Sequence, residues 1–482
     1  MERQNVFRVT IRNFTFRFGA DVIHGIVSAL VTILLANYLG VEDNGRYNLV
    51  YSYLYIFIIL SELGLAPIVM RELSKADVGG NKFAGSEILG NAIIIKILLI
   101  VFTFVLATPF VLLFPSLLSV RKLIWIALFS LFFNWSFLFG AAFESQLKLE
   151  YPSLIKLGCG LTTSLIIFGL IILRAPLWSF ILLRTGVLIP ELFLYLKYLK
   201  PLVPWSFRFS LPLSKFLIKE SLPLLASNMC IALYLRIDQL ILNHFYDETA
   251  VGVYAAAVHI VEAFRLFPLA FMIVTAPLLA QYFVKNRDKF QRFYNDCFRL
   301  VNIICWPMAL GGTLLAQSII ALIYKVEFAD AYAPFAILLW GNIFVYLGTV
   351  NNKLLIVTGK QLLDIVFTGS ALTVNIVFNF ILIPRYGLIG AAAASVMAYA
   401  TGPIMGYFIK TTRNYSRAML MTSGRPAIAA LLMVLVIFPV RQSLLLALPL
   451  GIILYPIFLR MIGGISTEDW ALIKSLRKNS PR

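Results

Sequence analysis

Arg236 and Asp238 stand two residues apart in IALYLRIDQLILNHF, a stretch from Ile231 to Phe245 that is otherwise almost wholly apolar. On a helix that spacing points them to nearly opposite sides, so at least one needs a partner on another helix or in a cavity. A charge at the centre of a membrane helix costs about 2.5–3.5 kcal/mol on insertion scales. The chain bears that cost repeatedly. Arg17, Asp21, His24 and Glu62 fall in the first two apolar segments, Lys96 in the third, Arg184 and Glu191 in the sixth, and His259, Glu262 and Arg265 in the eighth. The last three share one helix face, an arc of roughly 120°. Groups of these types bind anions, carry protons or pair across helices.

The chemistry they do not suggest is enzymatic. The sequence has no GxxxxGK[ST] phosphate loop, no HExxH, no GxSxG and no GxGxxG after a strand; VTGKQ (Val357 to Gln361) lacks the leading glycine and the hydroxyl residue that a phosphate loop requires. Cys159, Cys230, Cys297 and Cys305 show no CxxC spacing and no nearby histidine, which points to neither a metal site nor a disulfide framework. No cofactor is expected. A coupling ion, H+ or Na+, is unassigned.

The elements that must position these charges are membrane helices. Of 482 residues 60% are hydrophobic and 13% charged, and the mean hydropathy is +0.87, outside the range of water-soluble domains. Segments such as NAIIIKILLIVFTFVLATPFVLLF (Asn91 to Phe114) are apolar on every face, whereas a membrane strand would alternate. Breaking the chain at clusters of charge, Gly and Pro gives about fourteen spans of the length that crosses a bilayer. Lys and Arg then fall on alternate connections, 27 of the 41 on one side and 7 on the other, with Arg46, Arg121, Lys122, Arg174, Lys325, Arg385 and Arg441 making up the poorer side. By the positive-inside rule the richer side is cytoplasmic, as are both termini. The net charge of +18 therefore reflects topology, and no nucleic-acid partner is expected. No connection is long enough to fold into an extramembrane domain.

Treating each hairpin as a mirror about its loop puts His24 level with Glu62 in the inner half and Arg236 within a turn of His259 in the outer half. Two arrangements fit these charges. Asp238, Glu262 and Glu191 suit interhelical ion pairs, and Arg17 and Arg184 suit side chains that snorkel to the interface. The surplus of basic groups favours a water-filled cationic cavity lined by Asp21, His24, Glu62, Lys96, Arg236, Asp238, His259, Glu262 and Arg265. A faint repeat accompanies them. LGVEDNGRYNLVYSYL (Leu39 to Leu54) and FYDETAVGVYAAAVHI (Phe245 to Ile260) align Gly45 and Tyr47 with Gly252 and Tyr254, six spans later, which implies two copies of like orientation.

SELGLAPIVMRELSK (Ser61 to Lys75), YLRIDQLILNHFYDETAVGVYAAAVHIVEAFRLFPLAF (Tyr234 to Phe271), and NNKLLIVTGKQ with NFILIPRYGLIGAAAASV (Asn351 to Val396) resemble the polysaccharide transporter family. These are the Wzx-type O-antigen flippases of the multidrug/oligosaccharidyl-lipid/polysaccharide superfamily. The resemblance implies an all-α polytopic membrane fold, with six-helix lobes at 1–200 and 201–412 around a V-shaped cavity and two further helices and a tail at 413–482. It also implies a multi-pass protein of the cytoplasmic membrane that moves a polyprenyl-diphosphate-linked oligosaccharide to the outer leaflet for surface polysaccharide such as lipopolysaccharide. Its partners would be that lipid-linked glycan, membrane lipids and other polysaccharide-assembly membrane proteins. The rival reading is a cation-coupled exporter of small organic molecules, whose lumen should be dominated by carboxylates.

Overall fold

The computed structural model describes residues 2–77, 84–113, 115–203, 205–360 and 362–464, and the side chains of most residues from Ile23 onward. Sixteen α-helices account for nearly all of it. They are α1 (Glu2–Glu62), α2 (Leu65–Asp77), α3 (Gly85–Leu113), α4 (Arg121–Leu128), α5 (Ser136–Ser145), α6 (Glu150–Ile172), α7 (Leu177–Gly186), α8 (Leu188–Leu199), α9 (Leu211–Phe245), α10 (Glu248–Phe264), α11 (Leu266–Lys285), α12 (Arg287–Ile323), α13 (Tyr332–Val357), α14 (Leu362–Phe408), α15 (Arg413–Ile437) and α16 (Leu444–Met461). Lipid offers the backbone no hydrogen-bond partners, so apolar segments of this length satisfy their own amides as helices.

Twelve helical stretches among the described residues are long and apolar enough to cross a membrane. The two longest, Ile23–Ala76 and Leu362–Phe408, each overlap two of the spans expected from the sequence. Each is broken at a glycine: Gly40 (φ 74°, ψ 176°) interrupts α1 and Gly387 (φ 53°, ψ −126°) interrupts α14. Residues with a Cβ reach such angles only under strain, so the chain places glycine where a helix must change direction.

By packing, the chain forms two compact units, Met1–His259 and Ile260–Arg482. In the first, α1 is the spine, flanked by α3, α6 and α9, while α2 lies against α3 and α5. Leu49, Val50, Leu73, Ile88, Phe143 and Phe180 are nearly inaccessible at its core. In the second, α12 packs against α13 and α15 around Phe298, Tyr346 and Val350, and Met433 and Ile437 of α15 meet Tyr455 and Leu459 of α16. Asn302 ties α12 to α15 in that unit: its amide donates to Thr422 Oγ1 at 2.9 Å, and its oxygen accepts from Ser423 Oγ at 3.0 Å. Apolar side chains turned away from both cores, such as Leu98 on α3 and Leu165 on α6, are exposed, as the lipid-facing surface of a membrane helix must be.

The repeat has a physical counterpart inside the first unit. A Cβ built on Gly45 would stand 1.7 Å from the Glu248 carbonyl oxygen, and one built on Gly252 would stand 1.8 Å from that of Val41. Each glycine thus accepts the carbonyl four residues before the other, and the two backbones cross with no room for a side chain on either. Small residues at such crossings let membrane helices approach closely.

Candidate polar cavities

The expected charges separate into distinct settings. Lys96 is 1% exposed, and its Nζ donates to Glu62 Oε1, joining α3 to the end of α1. Glu62 also borders a cavity of about 490 Å³ in the first unit, whose polar lining includes Glu144, Lys156 and Asn228. The pair therefore serves as an interhelical tie with its carboxylate at a cavity wall.

Asp238 is 4% exposed on α9 and accepts from Tyr254 Oη at 2.6 Å and from the Gln239 amide at 2.8 Å. Arg236, two residues earlier, lies over the Tyr55 ring of α1, 5.4 Å from its centroid. The opposite orientations expected from the spacing lead here to different neighbours. Alongside runs a polar ladder between α1 and α10. Asn44 Nδ2 donates to the Gly252 carbonyl at 2.9 Å, Asn48 Nδ2 donates to the Asn44 carbonyl at 2.8 Å, and His259 Nε2 sits 2.9 Å from Asn48 Oδ1. Ser52 Oγ adds a bond to Gln239 Oε1 at 2.6 Å. Asn44, Asn48, Ser52 and Gln239 are not among the site residues expected from the sequence. Uncharged amides inside an apolar helix were the available signal, because buried amides are retained only where their bonds are met.

In the second unit Arg265 donates to Tyr399 Oη at 2.9 Å and covers that ring at 5.2 Å, while Glu262 is half-buried. The side chain of Asp21 lies outside the described residues, as do those of Arg3, Arg8, Arg12 and Arg17.

Two basic residues outside the expected cavity lining, Arg184 and Lys156, border cavities of the first unit. Arg184, expected to snorkel, is exposed and has defined neighbours on α1. It donates through Nη1 to Tyr47 Oη at 3.0 Å and lies 4.6 Å from the Tyr51 ring centroid, so two aromatic residues of α1 hold it. With His24, Lys156 and Glu191 it lines a second cavity of about 200 Å³ in the first unit. Lys156 borders both cavities. His24 and Glu62 thus open into different cavities that share a lysine. The imidazole of His24 lies directly on α6, where a Cβ at residue 160 would stand 2.5 Å from its Nε2; Gly160 makes that approach possible. Lys156 was hidden in the sequence by its place one turn inside a span, where a basic residue reads as a boundary.

Residues 10–283 match the profile of a family described as polysaccharide biosynthesis protein, and residues 223–381 match the MatE profile. The chain is 21% identical to the capsular polysaccharide biosynthesis protein CapF of Staphylococcus aureus, over 83% of this chain and 98% of that protein. It is 23% identical to the probable flippase AglR of Haloferax volcanii, over 97% and 96%. Among solved structures its fold is similar to the lipid II flippase MurJ in an inward closed conformation, with a TM-score of 0.72, 17% identity and 92% and 97% coverage. It is also similar to an inward-facing multidrug resistance MATE family transporter, with a TM-score of 0.70, 14% identity and 83% and 96% coverage.

Proposed function

Because the chain belongs to the polysaccharide biosynthesis protein family, within the superfamily of MOP flippases, we propose that it is a flippase for a polyprenyl-diphosphate-linked oligosaccharide. It would carry the glycan from the cytoplasmic to the outer leaflet of the cytoplasmic membrane by alternating access, as a transporter rather than an enzyme. The observation that carries this reading is the pair of polar cavities inside the first unit, with lysine and arginine in their walls. Such groups are retained at membrane depth where they meet water, a partner or a polar ligand. A glycan on a diphosphate is that ligand. The second unit adds a recess of about 550 Å³ lined by apolar groups, among them Pro307, Leu339, Met433 and Tyr455, which suits an isoprenoid chain.

The exporter reading draws support from the MatE match over 223–381. Its need for cation-attracting carboxylates is poorly met: Glu62 is neutralised by Lys96, and Glu191 shares its cavity with Lys156 and Arg184. Deletion of the gene followed by mass spectrometry of lipid-linked intermediates separates the two. Accumulation of a polyprenyl-diphosphate oligosaccharide, reversed by the intact gene, is expected. Unchanged lipid-linked pools with altered sensitivity to organic cations would establish the exporter instead. A coupling ion, H+ or Na+, would supply the driving force, and other polysaccharide-assembly membrane proteins would act before and after it.

A further inference from the structure

The smaller cavity of the first unit holds a cation whose charge the protein leaves uncompensated. Among the described residues no carboxylate lies within ion-pair distance of Arg184; its neighbours are the Tyr47 hydroxyl and the Tyr51 ring. A guanidinium presents five N–H donors in a planar fork, and one hydrogen bond from Nη1 leaves most of them for a ligand. Lys156 and His24, each engaged with neighbours of its own, add two basic groups to the same wall, which also carries Glu191. A cavity wall whose arginine has no carboxylate beside it favours an anionic ligand.

The hydroxyl groups on its wall narrow the ligand further. Thr32 Oγ1 donates to the Ser28 carbonyl at 2.8 Å, Thr163 Oγ1 to that of Cys159 at 2.7 Å, and Ser164 Oγ to that of Gly160 at 2.9 Å. Each has spent its only hydrogen on its own helix, so each presents acceptor lone pairs to the cavity. A bare inorganic oxyanion has little use for such acceptors, whereas a ligand that carries hydroxyl hydrogens next to its negative charge satisfies both sets. At about 200 Å³ the space lies below the roughly 300 Å³ lower end of sites for drug-sized ligands, a size that suits one sugar ring.

We infer that Arg184, Lys156 and His24 form a seat for a single acidic sugar residue, its carboxylate on the arginine fork and its hydroxyls on Thr32, Thr163 and Ser164. The inference rests on the flippase reading and specifies its cargo as a glycan that includes a carboxylate-bearing sugar. Arginine and carboxylate match as two parallel hydrogen bonds, a geometry that lysine does not reproduce.

The test uses the purified full-length protein in lipid nanodiscs and follows its melting temperature with D-glucuronate, D-glucose, inorganic phosphate or chloride. Glucuronate is expected to stabilise the wild type in a saturable way, and the other three at equal concentration to do so at least tenfold less effectively. Arg184→Lys should raise half-saturation at least tenfold. The double variant Thr163→Val/Ser164→Ala should weaken glucuronate without altering the weak response to phosphate. Equal responses to phosphate and glucuronate overturn the proposal in favour of a general oxyanion site. A glucuronate response that survives Arg184→Lys and Arg184→Met overturns it as well. Should Arg184→Met not fold, the lysine and hydroxyl variants decide alone. Loss of this seat with lipid-linked intermediates still accumulating in the deletion strain rejects only the acidic sugar; absence of that accumulation rejects the flippase reading itself.

Discussion

Lys96 carries an ammonium group into the interior of the first unit, and Glu62 is the group that neutralises it. Removing one member of such a pair strands the other, a loss of about 3–5 kcal/mol, whereas replacing both with apolar groups of similar size is often near neutral. Lys96→Met should therefore lower membrane abundance and melting temperature, and Glu62→Leu/Lys96→Met should restore most of both. Recovery of abundance without recovery of glycan export would show that Glu62 also serves the cavity it borders. Arg236 behaves differently, because it lies over the Tyr55 ring. Cation–π contact contributes about 0.5–2 kcal/mol depending on desolvation, so Tyr55→Leu should change melting temperature only slightly. If Arg236 meets the anionic part of the cargo, export measured at equal abundance should fall in the order wild type, Arg236→Lys, Arg236→Ala; full export with alanine rejects that role. Residue types alone showed which charges were costly, but not which would meet. Glu62 and Lys96 are 34 positions apart and read equally well as two cavity ligands. The partners of Arg184 were not readable either, because they are tyrosines, which carry no charge signal in a sequence.

At the scale of elements, apolar length and punctuation made the helices readable: the break at Gly40 falls on the last residue of the expected span 17–40, and that at Gly387 between the expected spans 362–384 and 388–410. What periodicity does not contain is which helices touch. The aligned Gly45 and Gly252 hinted at a repeat, yet nothing in the alignment required the two copies to pack against each other. Because each glycine receives the carbonyl four residues before its counterpart, an added methyl at either position forces α1 and α10 apart. Gly45→Ala and Gly252→Ala should each abolish export. Since both disrupt one crossing, the double variant should lose little more stability than either single one, whereas independent sites would add. Thermal unfolding of the three proteins in detergent checks this. Additive losses would mean that the two glycines serve separate contacts. The ladder of Asn44, Asn48 and His259 lies along the same crossing, so Asn48→Leu should weaken it without the steric block and cost about 1–3 kcal/mol for the hydrogen bonds left unmet.

At the scale of the whole molecule, the membrane sets an orientation that the internal packing of neither unit determines. Packing depends on side-chain shape and hydrogen bonding, which are indifferent to which leaflet is cytoplasmic. The distribution of Lys and Arg is not indifferent, because short loops rich in them are retained on the cytoplasmic side. The connection between α9 and α10 carries Asp247 and no lysine or arginine, with Glu248 opening α10, whereas the one between α11 and α12 is flanked by Lys285, Arg287, Lys289 and Arg292. These two connections should therefore lie on opposite faces, the first outside and the second inside. A reporter active only outside the cytoplasm, fused after Asp247, should give signal, and the same reporter fused after Lys289 should not. Adding three lysines to the Asp247 connection should reduce the signal of the first fusion or frustrate insertion, since two basic connections would then compete for one side. Signal from the Lys289 fusion with none from the Asp247 fusion would invert the topology.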